Sequence, residues 1–240
     1  MDILGAAIIR GIESAPKRGT EPPRGQWSSP CNYEGSSNSL FMRGEVARAF
    51  SEGHGMELGK IGSPFRLPTS SLVRTFDDGV VSAAATGLHG CTSVVVVSRR
   101  GVTGVDDLHS PGALNARQSR RRRNLFDDDA KPRVYIFTPK PLVGAGFRFP
   151  DQTERTEDEI RAIFGDYPVP IHAIGYDLPR KADMGGKKGK RRDPDYRTAK
   201  GKVLVQYQPP SNYNGRSSWQ VWFEGRVHPD SSDQWNRDIT

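Results

Sequence analysis

Apolar residues along this chain gather in short runs bounded by Gly, Pro, Asn and Asp, a texture that predicts strands more often than helices. Leu72-Val73-Arg74-Thr75-Phe76 reads as a strand closed by the turn Asp77-Asp78-Gly79, and Val80 to Ala85 as a strand or short buried segment. The clearest strand is Cys91 to Ser98, with valine at every position from Val94 to Val97 and a hairpin-like turn after it at Arg99-Arg100-Gly101. Arg133 to Thr138, Ile171 to Tyr176, Lys202 to Tyr207 and Ser218 to Phe223 complete the set. Asn212-Tyr213-Asn214-Gly215 supplies turn chemistry between the last two, which are expected to pair as an antiparallel hairpin. Trp219 and Trp222 stand three apart there, so one should enter the core and the other should face the surface.

Helical signals are fewer. Leu40 to Ser51 carries Phe41, Val46, Ala49 and Phe50 on a loose stripe. Thr156-Glu157-Asp158-Glu159 has the form of a capping box, which predicts a short helix from Glu157 to Phe164 ended by Gly165. Pro22-Pro23-Arg24-Gly25 and Gly35-Ser36-Ser37-Asn38-Ser39 mark the N-terminal third as largely irregular. Opposed charge blocks, Arg120 to Arg123 and Asp127 to Asp129, resist burial, and the flexible run Gly185 to Lys190 sits in a second basic stretch. The expected organisation is an irregular segment over 1–68, then an α+β domain over 69–228. Disordered inserts interrupt that domain at 102–131 and 180–201, and a polar tail over 229–240 ends the chain.

Composition narrows the setting. With 26 Gly and 18 Pro in 240 residues, much of the chain must be turn and loop around a modest core. No apolar run approaches the length of a membrane span, so no membrane partner is expected. Met1 to Ile12, broken by Arg10, makes a poor secretory signal, which favours a cytoplasmic or nuclear location. The net charge of +7 is local. Arg180 to Lys202 holds ten Lys or Arg against Asp183, Asp193 and Asp195 and by itself accounts for the excess. Cys31 lies in a polar loop and Cys91 at the head of a strand, so no disulfide framework or zinc site is expected. Gly53-His54-Gly55 and Gly144-Ala145-Gly146 lack the residues of a phosphate-binding loop, and no cofactor is called for. His172, inside an apolar strand, reads as a satisfied core residue.

The candidate chemistry centres on Thr86-Gly87-Leu88-His89-Gly90-Cys91-Thr92. Glycines flanking the His allow a tight approach to the thiol, and the valine strand behind it can hold the thiol rigidly. Nucleophilic cysteine chemistry needs a thiolate, a base and donors for an oxyanion. Cys91 supplies the thiol, and the backbone around Gly90 and Thr92 can supply donors. Candidate bases are His89, His109, His172 and His228. His89 would point to the opposite face of an extended backbone, which favours His109, on a returning segment. The bland alternative is that Cys91 is a small buried hydrophobe.

Leu88-His89-Gly90-Cys91-Thr92 followed by Val94 to Val97 resembles the nucleophile segment of cytotoxic-necrotizing-factor-type toxins, glutamine deamidases related in fold to the chemoreceptor deamidase CheD. The order Gly-Cys-Thr, apolar run, Ser-Arg-Arg-Gly-Val is also similar to a group of uncharacterised fungal proteins, and the likeness extends over about 70–227. The resemblance implies a strand-rich layered sandwich, a Cys–His pair and hydrolysis of a side-chain amide, with a protein as substrate. In the fungal group the strand after Gly-Val carries the His. Here Thr103-Gly104-Val105-Asp106-Asp107-Leu108-His109 stands in its place, so that strand is expected to be missing and His109 to be delivered by a loop.

The alternative is a catalytically inactive interaction protein. Its basic residues Arg120, Arg121, Arg122 and Arg123, or Lys187, Lys188, Lys190, Arg191 and Arg192, would contact nucleic acid or acidic partners. Neither cluster interleaves aromatic residues, which weighs against nucleic acid.

Overall fold

The computed structural model describes residues 15–57, 71–105, 125–178, 198–210 and 215–236. They divide into two compact units, one drawn from Met1–Gly55, Asp77–Thr86 and Pro179–Thr240, the other from Met56–Phe76 and Gly87–Leu178. The architecture is mixed α and β, as the sequence pattern predicts, with two five-stranded sheets.

The first unit is built on β3 (Val81–Thr86), β8 (Val203–Gln208), β9 (Arg216–Phe223) and β10 (Arg226–Asn236); β1 (Gly55–Glu57), at the edge of this sheet beside β3, has only Gly55 in the unit. Helix α1 (Asn38–Ser51) starts where the Ser37 side chain accepts a hydrogen bond from the Leu40 N–H at 3.3 Å. Its Phe41, Met42, Val46 and Ala49 form a buried cluster with Ala84, Leu204 and Trp222. Small side chains on β3 leave room for that approach, and Phe41 meets the Trp222 ring at 4.7 Å between centroids. The segment before α1 is tied to the sheet by polar side chains. Buried Gln206 donates to the Ser28 carbonyl at 3.1 Å and accepts from Gln220, its cross-strand partner, at 3.0 Å. Glu45, wholly buried on α1, is held by Arg18, Arg48 and Tyr33.

The second unit is the sheet β2 (Ser71–Thr75), β5 (Gly101–Val105), β4 (Ser93–Val97), β6 (Arg133–Pro139) and β7 (Ile171–Tyr176), in that spatial order. All pairs are antiparallel except β6 and β7, which are parallel and joined through helix α2 (Pro150–Phe164). Ile160 and Phe164 of α2 cover Val94, Val96, Val134 and Ile136. Alternate β4 valines point to the other face and are buried as well, which explains an unbroken apolar run.

Several expectations are corrected. Gly101 to Val105, the strand expected to be missing, is present. It is hydrogen-bonded on both edges, to β2 and β4, so ladder pairing holds it where apolar side chains are sparse. Leu125 and Phe126, inside the range read as a disordered insert, are both buried. Ser98 ties Leu125 to the turn after β4: its Oγ accepts from the Arg100 and Gly101 N–H groups at 3.0 and 3.2 Å and donates to the Leu125 carbonyl. Helix α2 begins at Pro150 rather than Glu157, because Pro at the first helical position needs no N–H partner. Thr156 is consequently a buried interior residue. The polar tail contains β10, folded back through Glu224 and Gly225, whose φ values of +50° and +86° suit a two-residue hairpin turn. Trp219 and Trp222 are both buried.

Candidate functional site

The stretch between β3 and β4 turns at Gly87, with φ of +92°, and at Gly90, with φ of +120°. Side chains with a Cβ rarely adopt these angles, so the two glycines set the path that carries Cys91. The strand itself starts only at Ser93, which leaves Cys91 two residues before it, half-buried rather than inside the core. Leu88 points inward and is fully buried, anchoring the turn.

Sheet register explains what lies beside the thiol. Ser93 pairs with Phe137, and Phe137 with Ile174, so the row two positions further holds Cys91, Pro139 and Tyr176. Tyr176 is buried, and its hydroxyl contacts the cysteine loop twice. It accepts from the Gly90 N–H at 2.9 Å and donates to the Cys91 carbonyl at 2.6 Å. The Cys91 Sγ lies 3.7 Å from the Gly87 carbonyl, its hydrogen-bond acceptor. One row inward, the Thr92 and Thr138 hydroxyls meet at 3.3 Å.

This edge is also where the parallel pair β6 and β7 ends, and the outer carboxyl ends of parallel strands are where open sheets place their ligands. The loop from Lys140 to Phe149 rises from it with a closed base: the Lys140 N–H bonds the Tyr176 carbonyl and the Arg148 N–H bonds the Pro139 carbonyl, each at 2.8 Å. Leu142 and Val143 at its tip are 82% and 90% exposed. Arg148, Phe149, Asp151 and Arg155 line a shallow depression at the start of α2.

The candidate bases are dispersed. His89 is half-buried two residues before Cys91, its N–H bonded to the Gly87 carbonyl at 2.8 Å. His172 stacks on Tyr135 with centroids 5.4 Å apart. It lies four strand positions from Tyr176, a separation of about 13 Å. It is packed against a ring but half-buried, rather than the core residue that the apolar strand predicted. His228 belongs to β10 of the first unit. His109, Arg120 to Arg123, and Lys187, Lys188, Lys190, Arg191 and Arg192 lie outside the described residues. Of the two expected oxyanion positions, Gly90 gives its N–H to Tyr176, while Thr92 lies just ahead of β4 with its hydroxyl on Thr138. Neither Cys31 nor Cys91 forms a disulfide. No family model, curated protein or solved structure matches this chain.

Sequence reasoning missed Tyr176 as a site residue. The available signal was a helix between two apolar runs, which makes β6 and β7 parallel and brings the end of one beside the start of β4. It also missed the carboxylate of Glu45 in the first unit. Arg18 donates to it from Nε and Nη2 at 2.8 and 3.1 Å, Arg48 from Nε and Nη2 at 3.2 and 3.0 Å, and Tyr33 at 2.7 Å. Burial alone would push this carboxyl up, but the Arg18 hydrogen bond, the Arg48 charge and the Tyr33 hydroxyl outweigh it and hold the group below the ordinary range. Burial and the adjoining carboxylate push Tyr33 upward. Remaining guanidinium donors reach Glu21, Glu52 and Ser82, so the cluster reads as a structural lock rather than an anion site. Among the described residues no three of His, Cys, Asp and Glu gather as metal ligands, and no helix is long and apolar enough to cross a membrane.

Proposed function

We propose that this chain is a cysteine-dependent amidohydrolase acting on a side-chain carboxamide of a protein substrate, with Cys91 as nucleophile and a layered fold of the deamidase kind. The observation that carries the reading is a half-buried cysteine two residues ahead of the central strand of its sheet, beside the carboxyl ends of β6 and β7. A purely structural cysteine would be expected inside the strand, among the valines.

The chemistry follows from the residue types. His109, the base favoured by its place in the sequence after Cys91, takes the Cys91 proton, and Sγ bonds to the carboxamide carbon while the carbonyl electrons move to oxygen. Collapse breaks the C–N bond, and ammonia leaves with the proton held by the imidazole. The same imidazole then deprotonates a water that attacks the thioester, and the carboxylate product departs as the Cys91 thiol is restored. Because the Gly90 N–H is engaged by Tyr176, the backbone of Thr92 is the better-placed of the two expected oxyanion positions.

The deciding experiment is the pH dependence of Cys91 alkylation in a Cys31→Ser background. An activated thiol reacts well below the ordinary thiol pKa of about 8.5, and His109→Ala returns the profile toward that value. Cys91→Ser then abolishes ammonia release. A thiol that is inert or titrates ordinarily overturns the proposal and leaves the non-catalytic interaction protein as the reading to pursue.

A further inference from the structure

Tyr176 bridges the backbone on either side of the thiol, and its role there rests on the hydrolase reading above. We infer that it is a positioning residue for the reaction at Cys91, fixing the direction of the thiol through a single hydroxyl oxygen. The Gly90 N–H belongs to the peptide before Gly90, and the Cys91 carbonyl to the peptide after Cys91. Bonds to both, at 2.9 and 2.6 Å, bridge the backbone rotations that swing the Cys91 Cα–Cβ bond. Those rotations need a restraint because the turn contains two glycines at positive φ, the residue type with the least conformational resistance.

The geometry requires a group that accepts and donates at once. A phenol does both, and the buried ring at the end of β7 holds it still. Its own carbonyl is taken by the Lys140 N–H, so the clamp is anchored at the base of the loop that follows β6. Two consequences follow for chemistry. The hydroxyl dipole offsets the negative end of the Cys91 carbonyl, which favours a thiolate on the same residue. The clamp also withholds the Gly90 N–H from an incoming carbonyl, which directs the substrate oxygen elsewhere.

Tyr176→Phe keeps the ring and deletes both bonds. In the Cys31→Ser background, iodoacetamide alkylation of Cys91 at neutral pH falls about fivefold, the factor carried by one net hydrogen bond, and the pH profile moves to higher pH. Far-UV circular dichroism stays unchanged. Thr138→Val, which removes only the neighbouring hydroxyl contact, leaves rate and profile where they were. An acid-shifted parent whose rate and profile survive Tyr176→Phe overturns the positioning role while sparing the hydrolase reading. An ordinary or inert parent thiol overturns both. Should Tyr176→Phe fail to fold, amide exchange of Gly90 in the parent decides: slow exchange supports the clamp, and exchange at the free-peptide rate overturns it.

Discussion

A buried carboxylate with five donor contacts is costly to disturb on either side. Glu45 has no exposed surface, yet two guanidinium groups and a phenol meet it, so its charge is stabilised only while all remain in place. Glu45→Gln keeps the shape but leaves Arg18 and Arg48 beside a neutral amide, and should destabilise the protein by about 3 kcal/mol in urea unfolding. The pH dependence has a definite sign. Because the folded-state carboxyl is held below its ordinary value of 4.5, the stabilisation is complete above that pH and is lost as pH falls through the lowered folded value. Tyr33 works in the opposite direction: its folded value is raised, so its contribution is complete below its ordinary value of 10.0 and is lost at higher pH. Unfolding free energy measured from neutral to acid pH should therefore drop more steeply in the parent than in Glu45→Gln. Equal acid limbs would show that this carboxyl is not the group responsible.

Among the elements, strands with continuous apolar runs were legible because burial on both faces requires them, and the helix from Leu40 to Ser51 because its stripe meets a sheet. What escaped was held by backbone or polar contacts. Strand β5 reads Gly101-Val102-Thr103-Gly104-Val105 and depends on ladders to two neighbours, while β10 is mostly exposed and depends on one. The thiol turn was legible through its glycines, but Tyr176, 85 positions along the chain from Cys91, was not, since only parallel pairing of β6 and β7 brings it there. The capping box failed for a local reason. A Thr at an N-cap is useful through its oxygen, whereas Thr156 lies six positions into a helix already started by Pro150 and is buried there. Thr156→Val separates the two roles. A cap lost would cost about 1 kcal/mol, whereas a buried interior site should accept the isosteric change with stability unchanged or raised, as measured by thermal unfolding.

The path of the chain sets how the protein loses its structure. Five successive segments alternate between the two units, from Met1–Gly55 through Met56–Phe76, Asp77–Thr86 and Gly87–Leu178 to Pro179–Thr240. Strand β3 of the first unit is inserted between β2 and β4 of the second, with short links on either side. Pulling β3 out of its ladder with β8 therefore frees the entry to the Gly87–Cys91 turn, and melting β4 loosens the exit of β3. Such interleaving predicts one cooperative transition despite two compact units. Separate reporters can follow each unit. All four tryptophans, Trp27, Trp219, Trp222 and Trp235, lie in segments of the first unit, while Val95, buried on β4, lies in the second. Denaturant unfolding followed by tryptophan fluorescence, and by the amplitude of rapid labelling of a Val95→Cys thiol in a Cys31→Ser, Cys91→Ser background, should give coincident midpoints. A labelling transition at lower denaturant than the fluorescence change would mean that the sheet carrying β4 opens on its own, and that the inserted strand does not couple the two units.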